Sequence, residues 1–341
     1  MPSSVLRVLS GDAVWPPPLW LMRQAGRYLP EYRQVRAQAG DFIALCTSPA
    51  LAAEVTLQPI RRYGFDAAIL FSDILMLPWA LGWGLEYKDG EGPVLPRFES
   101  EADLAKLSPE RVAAAVGPIM ETVSLVRAGL SAETALIGFA GSPFTVACYM
   151  VEGGGSKEFA RIRTMAQGRP ELFGRLIDVL AESTVEYLSA QVRAGAQVLK
   201  LFDSWAGVLS PLLFERFVTA PTAKIAAALR ARHPEVPVVG FPRLGGLQAG
   251  AYARAAGLQG VAFDTGADLR VALPLVDAGV ATQGNLDPMA LVAGGAALEA
   301  ETRMVLDCVR GRPHIFNLGH GIVPQTPPEH VAELVRLVRA G

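Results

Sequence analysis

Arg23, Arg27, Arg33 and Arg36 fall within the fifteen-residue stretch Met22–Arg36, in a chain where charged residues make up only 19%. Gly26 and Pro30 interrupt it and keep the first two arginines on a loop. Guanidinium forks match carboxylates and phosphates bidentately, so such a loop suits a substrate with several anionic groups. Arg33 and Arg36 sit in a helical register, where a solvated arginine face accounts for them equally well. The second candidate is Asp73, in Leu70-Phe71-Ser72-Asp73-Ile74-Leu75-Met76-Leu77-Pro78-Trp79. A carboxylate among apolar neighbours must face several donors or a cation. The partner is either a nearby arginine, in a structural role, or a ligand in an apolar cavity that itself supplies the donors.

Other chemistries lack their residues. The four histidines, His233, His314, His320 and His330, are scattered, and the three cysteines, Cys46, Cys148 and Cys308, are widely spaced. There is no H-E-x-x-H, P-loop, G-x-S-x-G or closely spaced Cys/His set, so no metal is expected. An odd number of distant cysteines also argues against a disulfide framework and for a reducing cytoplasm.

These residues need a scaffold that brings distant segments together. Short apolar runs alternate with helical patterns throughout, the signature of parallel β–α units. Strands are expected at 19–22, 66–72, 135–140, 197–203, 236–242, 260–264, 279–285 and 314–319. Helices are expected at 49–63, 110–128, 170–194, 211–232, 247–256 and 298–309, with a last one started by Thr326 as N-cap. Eight units predict an α/β fold of the (β/α)8 TIM-barrel type, as a single domain over residues 1–341. The excess length goes into two insertions: 74–107, where turn residues at 88–93 read as a hairpin, and 152–168. A two-domain doubly wound sheet is the alternative, weakened by the lack of G-x-G-x-x-G after a strand.

In such a barrel the chemistry lies at the carboxyl ends of the strands. The residues found there are Arg23 and Arg27, Ser72 and Asp73, Ser142 with Tyr149 beyond it, Asp203 and Ser204, Arg243, Asp264, Gln283 and Asn285, and His320. Ser142 and Asp264 are equally well read as caps of the helices that follow.

With 341 residues and 51% apolar content the chain can bury a large core, and 31 basic against 33 acidic residues give a net charge of -2. No global field then favours nucleic acid or anionic lipid. The N-terminal segment lacks the apolar core of a signal peptide. The long uncharged run Thr134–Val151 has Gly138, Gly141, Ser142 and Pro143 at its centre and reads as strand, turn and helix, not a membrane span. A cytoplasmic protein without membrane or nucleic-acid partner is expected. Only five residues are lysine, so an arginine counts by its position alone.

The Met22–Arg36 loop closely resembles the N-terminal signature of the uroporphyrinogen decarboxylase family. The likeness continues through Phe71-Ser72-Asp73-Ile74-Leu75, Gly141-Ser142-Pro143-Phe144-Thr145, Tyr149–Ser156, Leu201–Gly207, Gln283–Pro288 and Asn317–Ile322. The resemblance implies a distorted (β/α)8 barrel working as a homodimer, without metal or organic cofactor. It converts uroporphyrinogen III to coproporphyrinogen III by removing the carboxyl groups of four acetate side chains. It also implies that Asp73 receives the pyrrole N–H groups of the macrocycle, and that Arg23, Arg27 and Arg36 handle substrate carboxylates and protons. Gln24, Phe71, Tyr149, Ser204 and His320 would contact the substrate, and Asp73, Arg23 and Arg27 would be the catalytic set. Two positions depart from the family pattern: Arg243 stands where a lysine is expected, and Thr265 where a tryptophan follows the aspartate.

Two other readings compete. Cobalamin-linked methyltransferases of the same fold need a His-x-Cys pair at the barrel mouth, which this chain lacks. A tetrapyrrole carrier would bind without turnover, and the joint presence of Arg23, Arg27, Asp73, Tyr149 and His320 speaks against it.

Overall fold

Strands that pair in parallel can be joined only through crossover connections, and the helical segments between the apolar runs supply them. The computed structural model describes residues 3–88 and 92–341. Seven strands form one parallel sheet: β1 (Ala67–Ile69), β4 (Ala135–Gly141), β5 (Val198–Asp203), β6 (Val238–Pro242), β7 (Gly260–Ala262), β8 (Ala281–Leu286) and β9 (His314–Leu318). Each pairs with its successor in the chain, in registers such as Ala67↔Ala135, Leu199↔Val238 and Asn285↔Asn317, so the sheet curls in one direction. All seven carboxyl ends therefore point to one side.

The expected strand at Leu19–Met22 is not a strand. It makes an isolated parallel bridge, Leu19↔Phe316, and the reason lies in its amide groups. The Leu19 N–H donates to the Asp66 carboxylate (2.8 Å), that of Leu21 to Gln24 Oε1 (3.1 Å) and that of Met22 to Asn317 Oδ1 (3.0 Å). Side chains have taken the donors that a ladder would use. Backbone contact survives on both flanks: Phe316 N–H donates to Pro18 O (2.8 Å), and Asp66 N–H to Leu19 O (3.0 Å).

Two cores result from the alternation of side chains along each strand. Inside the curl lie Trp20, Met22, Ile137, Val198, Val239, Phe241 and Ile315. The N-terminal helix Ser4–Leu9 adds Val5, Val8 and Leu9 to this cluster beside Ala67, Ala135 and Ala281, each the small first residue of its strand. A larger core joins the outer face to the helices, chief among them Pro49–Tyr63 and Pro170–Ala194, whose bounds coincide with the expected ones. Thr326 does not cap the last helix: Pro327 holds that position, Pro328 opens the helix, and the Thr326 hydroxyl is buried without a partner among the described residues.

The first insertion forms the antiparallel pair β2 (Glu86–Lys88) and β3 (Gly92–Val94), as expected; the hairpin residues 89–91 lie outside the described ones. It touches the second insertion through a bridge between Val94 and Gly154 and a bond from Leu95 N–H to Gly153 O (3.1 Å). The run Thr134–Val151 folds as β4, a turn and the helix Pro143–Glu152. Among the described residues, Glu101–Gly129 alone has the length and apolarity of a membrane span, and it is divided into the helical pieces Glu101–Leu104, Pro109–Arg111, Val112–Ala115 and Gly117–Gly129.

Candidate active site

The arginine loop is fixed to the sheet before it reaches solvent. Gln24 does the fixing: its side chain is wholly buried, its amide donates to Ala67 O (3.1 Å), its Oε1 accepts from Leu21, and its carbonyl accepts from the Tyr28 hydroxyl (2.9 Å). With both polar ends committed, this side chain orients the loop and leaves contact with a ligand to its neighbours. Arg23 has φ of +61°, in the left-handed region that non-glycine residues rarely adopt, and is exposed. That turn lays its side chain across Gly321, in the space a Cβ would occupy. Arg27 is exposed, and its carbonyl accepts from Arg33 (3.0 Å). Arg33 and Arg36 lie on the helix Pro30–Ala39. Arg33 faces solvent, while half-buried Arg36 donates to Gly40 O (2.7 Å) and acts electrostatically on Tyr32 and Cys46.

Asp73 follows β1 at its carboxyl end and accepts from the Leu75 N–H (2.8 Å). Burial pushes its pKa up, opposed by that bond, by the Tyr87 hydroxyl and by the Arg23 charge. Tyr87 stands on β2, packs edge-on against Phe42 at 4.8 Å between centroids, and has its phenol driven well up by burial and by the Asp73 carboxylate. The sequence reading missed this residue, since nothing in β2 links it to Asp73 before the hairpin folds over. Phe71 is buried, its ring 5.6 Å from that of Tyr32 and 5.9 Å from that of Phe42, as part of the wall behind Asp73.

Arg23 acts on Tyr149 and His320 as well as on Asp73. Tyr149, on the helix after β4, has its pKa raised by burial and packs against Trp205 at 6.3 Å. The Trp205 N–H donates to Thr145 Oγ1 (3.1 Å), which in turn donates to Asp203 (2.5 Å). Burial raises the Asp203 carboxyl to about 7, and its second oxygen has no partner among the described residues. Arg243 lies 5.7 Å from the Trp205 ring and donates to Ser204 O (3.3 Å), which places the half-buried Ser204 beside a cation. Burial lowers the pKa of His320 to about 4, with the Arg23 and Arg243 charges adding to it. Its Nδ1 accepts from the Gly321 N–H (2.6 Å), so the neutral ring carries its proton on Nε2 and can donate it to a ligand.

The capping alternatives resolve differently. Ser142 makes no side-chain cap bond, and its hydroxyl is buried without a partner among the described residues. Asp264 ties two loops together instead, accepting from Leu244 N–H (2.7 Å) and Gly266 N–H (2.9 Å). Thr265, the second departure, lies where a Cβ on Gly319 would be, which packs the loop after β7 onto the His320 turn. Among the described residues no three His, Cys, Asp or Glu are grouped to hold a metal.

Asp73, Arg23, Tyr149, His320, Ser204 and Arg243 thus converge from six segments onto one end of a parallel α/β sheet, the arrangement of an enzyme that acts on a polyanionic small molecule. A family model described as uroporphyrinogen decarboxylase matches residues 2–341. A uroporphyrinogen decarboxylase of Granulibacter bethesdensis is 62% identical over 99% of both chains, and that of Rhodospirillum rubrum is 50% identical over 98% of this chain and 96% of its own. The chain belongs to the uroporphyrinogen decarboxylase family, and it is a carboxy-lyase of tetrapyrrole biosynthesis. In fold it is similar to a methyltransferase from Methanosarcina mazei, with a TM-score of 0.78 at 20% identity over 99% of this chain and 97% of the other.

Proposed function

We propose that the chain converts uroporphyrinogen III to coproporphyrinogen III by removing the carboxyl groups of four acetate side chains, in the cytoplasm, as a homodimer and without an organic cofactor or metal. Asp73 carries this reading: a carboxylate whose burial disfavours its charge gains most from a ligand that brings N–H donors, and the centre of a porphyrinogen presents four. Arg23, Arg27 and Arg36 suit the carboxylates at the substrate's rim, with His320 Nε2–H, Tyr149 and Ser204 as further donors. Gln24 and Phe71 support the loop and the wall.

The pyrrole serves as its own electron sink. A proton added at a ring carbon makes the ring cationic. The bond from the acetate CH2 to its carboxylate then breaks, carbon dioxide leaves, and the electron pair neutralises the ring as an exocyclic methylene. A second proton makes that carbon a methyl group, and the first is lost as the pyrrole is restored. Each turnover consumes one proton net. Asp73 stabilises the ring cation, and the proton comes from Arg23 or Arg27 acting on the substrate's carboxylate, with Tyr149 or a water as the alternative donors.

The barrel is closed in this reading, with residues 18–22 as the eighth staves between β9 and β1; their bonds to Phe316 on one flank and Asp66 on the other support it. The second copy sits on the rim where Leu212, Leu244 and Leu247 are 78%, 50% and 63% exposed. Anaerobic incubation with uroporphyrinogen, followed by oxidation and chromatography by carboxyl number, tests the activity. Stepwise appearance of seven- to four-carboxyl products is expected. Recovery of only the eight-carboxyl form, with binding intact, would favour the carrier instead.

A further inference from the structure

Lys200 stands on β5, three residues before Asp203, on the face that turns inward with Val198 and Phe202. It is 1% exposed, and its ammonium has no hydrogen-bond partner among the described residues. Three rings surround it instead: Nζ lies 5.8 Å from the centroid of Trp20, 5.4 Å from Phe202 and 5.6 Å from Phe241. The inward residues around it, Ile137, Val198 and Val239, are aliphatic. Burial alone lowers its pKa, to about 7, with no carboxylate contributing.

A leucine or methionine would fill this position at less cost, because aromatic faces return only part of an ammonium's lost hydration. A residue that weakens the fold where an apolar one would serve is explained by what it does for the site. Phe202, one inward layer above Lys200, is half-buried at the carboxyl end of β5, directly before Asp203 and Ser204. The charge therefore lies under the floor of the site. It is also dry, so solvent and salt screen it far less than they screen exposed Arg23 and Arg27.

We propose that Lys200 is a specificity-determining charge for the decarboxylation, a fixed cation beneath Phe202 that favours the substrate with more carboxylates over the products with fewer. The inference rests on the reading above of a polycarboxylate tetrapyrrole as substrate. At about 10 Å from a carboxylate and an effective dielectric constant of about 20, one such charge changes affinity on the order of tenfold.

The test compares wild type with Lys200→Met, assayed at about pH 6, where the ammonium is charged. The expected result is a KM for uroporphyrinogen raised on the order of tenfold, kcat within about twofold, and a smaller preference for the eight-carboxyl over the five-carboxyl form. Thermal stability should rise, because a buried unpaired charge is gone. Lys200→Arg should restore KM, and Lys200→Gln replaces the methionine variant should that fail to fold. An unchanged KM in the active neutral variants, or a fall in stability with no change in selectivity, overturns the proposal and makes Lys200 a packing residue. Absence of turnover in the wild type would instead overturn the decarboxylase reading, and this inference with it.

Discussion

Replacing Asp73 by Asn separates electrostatic catalysis from architecture. Asn is nearly isosteric, and its Oδ1 can still accept the 2.8 Å bond from Leu75 N–H, so the turn after β1 has no reason to move. What disappears is the negative charge between Arg23 and Tyr87. Removing a preorganised partner of a developing charge typically costs about 100- to 1,000-fold in rate, or about 2.7 to 4 kcal/mol. Stability should move the other way. Burial raises the Asp73 pKa above its ordinary 3.8, so the native state holds this proton more tightly than the unfolded chain does. The stabilisation is complete below the unfolded pKa and is lost as pH rises through the folded one. Once ionised, the carboxylate is therefore a liability, and Asn removes it. Product chromatography with initial rates, paired with thermal melts at about pH 7, should show kcat reduced at least about 100-fold with an equal or higher melting temperature. A variant within about tenfold of wild type, or one whose rate loss tracks a lowered melting temperature, would refute the assignment.

Tyr87→Phe keeps the ring against Phe42 but removes a hydroxyl that lowers the Asp73 pKa, so the acid limb of the kcat/KM profile should shift to higher pH. Gly321→Ala puts a methyl group where the Arg23 side chain lies; kcat/KM should fall about ten- to hundredfold in a folded protein. His314, buried and bonded to Thr282 Oγ1 (2.9 Å) and Gly284 O (2.9 Å), has its pKa lowered to about 4, so the native state resists protonating it. Its contribution is complete above about pH 6.5 and is lost as pH falls toward 4, on the order of 3 kcal/mol. Denaturant titrations of wild type and His314→Gln should converge as the pH is lowered.

The strands legible in the sequence are those held by a run of backbone ladder bonds, even where a side chain takes a single amide, as Gln191 takes that of Phe139. β4 to β9 lie within two residues of their expected bounds because continuous apolar runs between helices leave no other way to bury both faces. The segment 19–22 was misjudged because the side chains of Asp66, Gln24 and Asn317, up to 295 positions away, decide the fate of its N–H groups. Local pattern carries no trace of such acceptors. The site divides in the same way. Asp73, Tyr149, Ser204 and His320 follow predicted strands and could be found by position, whereas Tyr87 arrives on an insertion whose folding direction no periodicity encodes. Gln24 shows the converse case: a polar residue in a striking motif whose every polar atom is used to hold the chain.

The bond from Met22 N–H to Asn317 spans 295 residues and has a temporal meaning. At a synthesis rate of about 5 to 20 residues per second, the arginine loop leaves the ribosome roughly 15 to 60 seconds before the strand that anchors it. The helix Ser4–Leu9 waits similarly for Ala281 and Ile315. Val5, Val8, Leu9 and Trp20 are thus made long before the residues that cover them, which leaves this segment's apolar groups in need of a chaperone's shelter during synthesis.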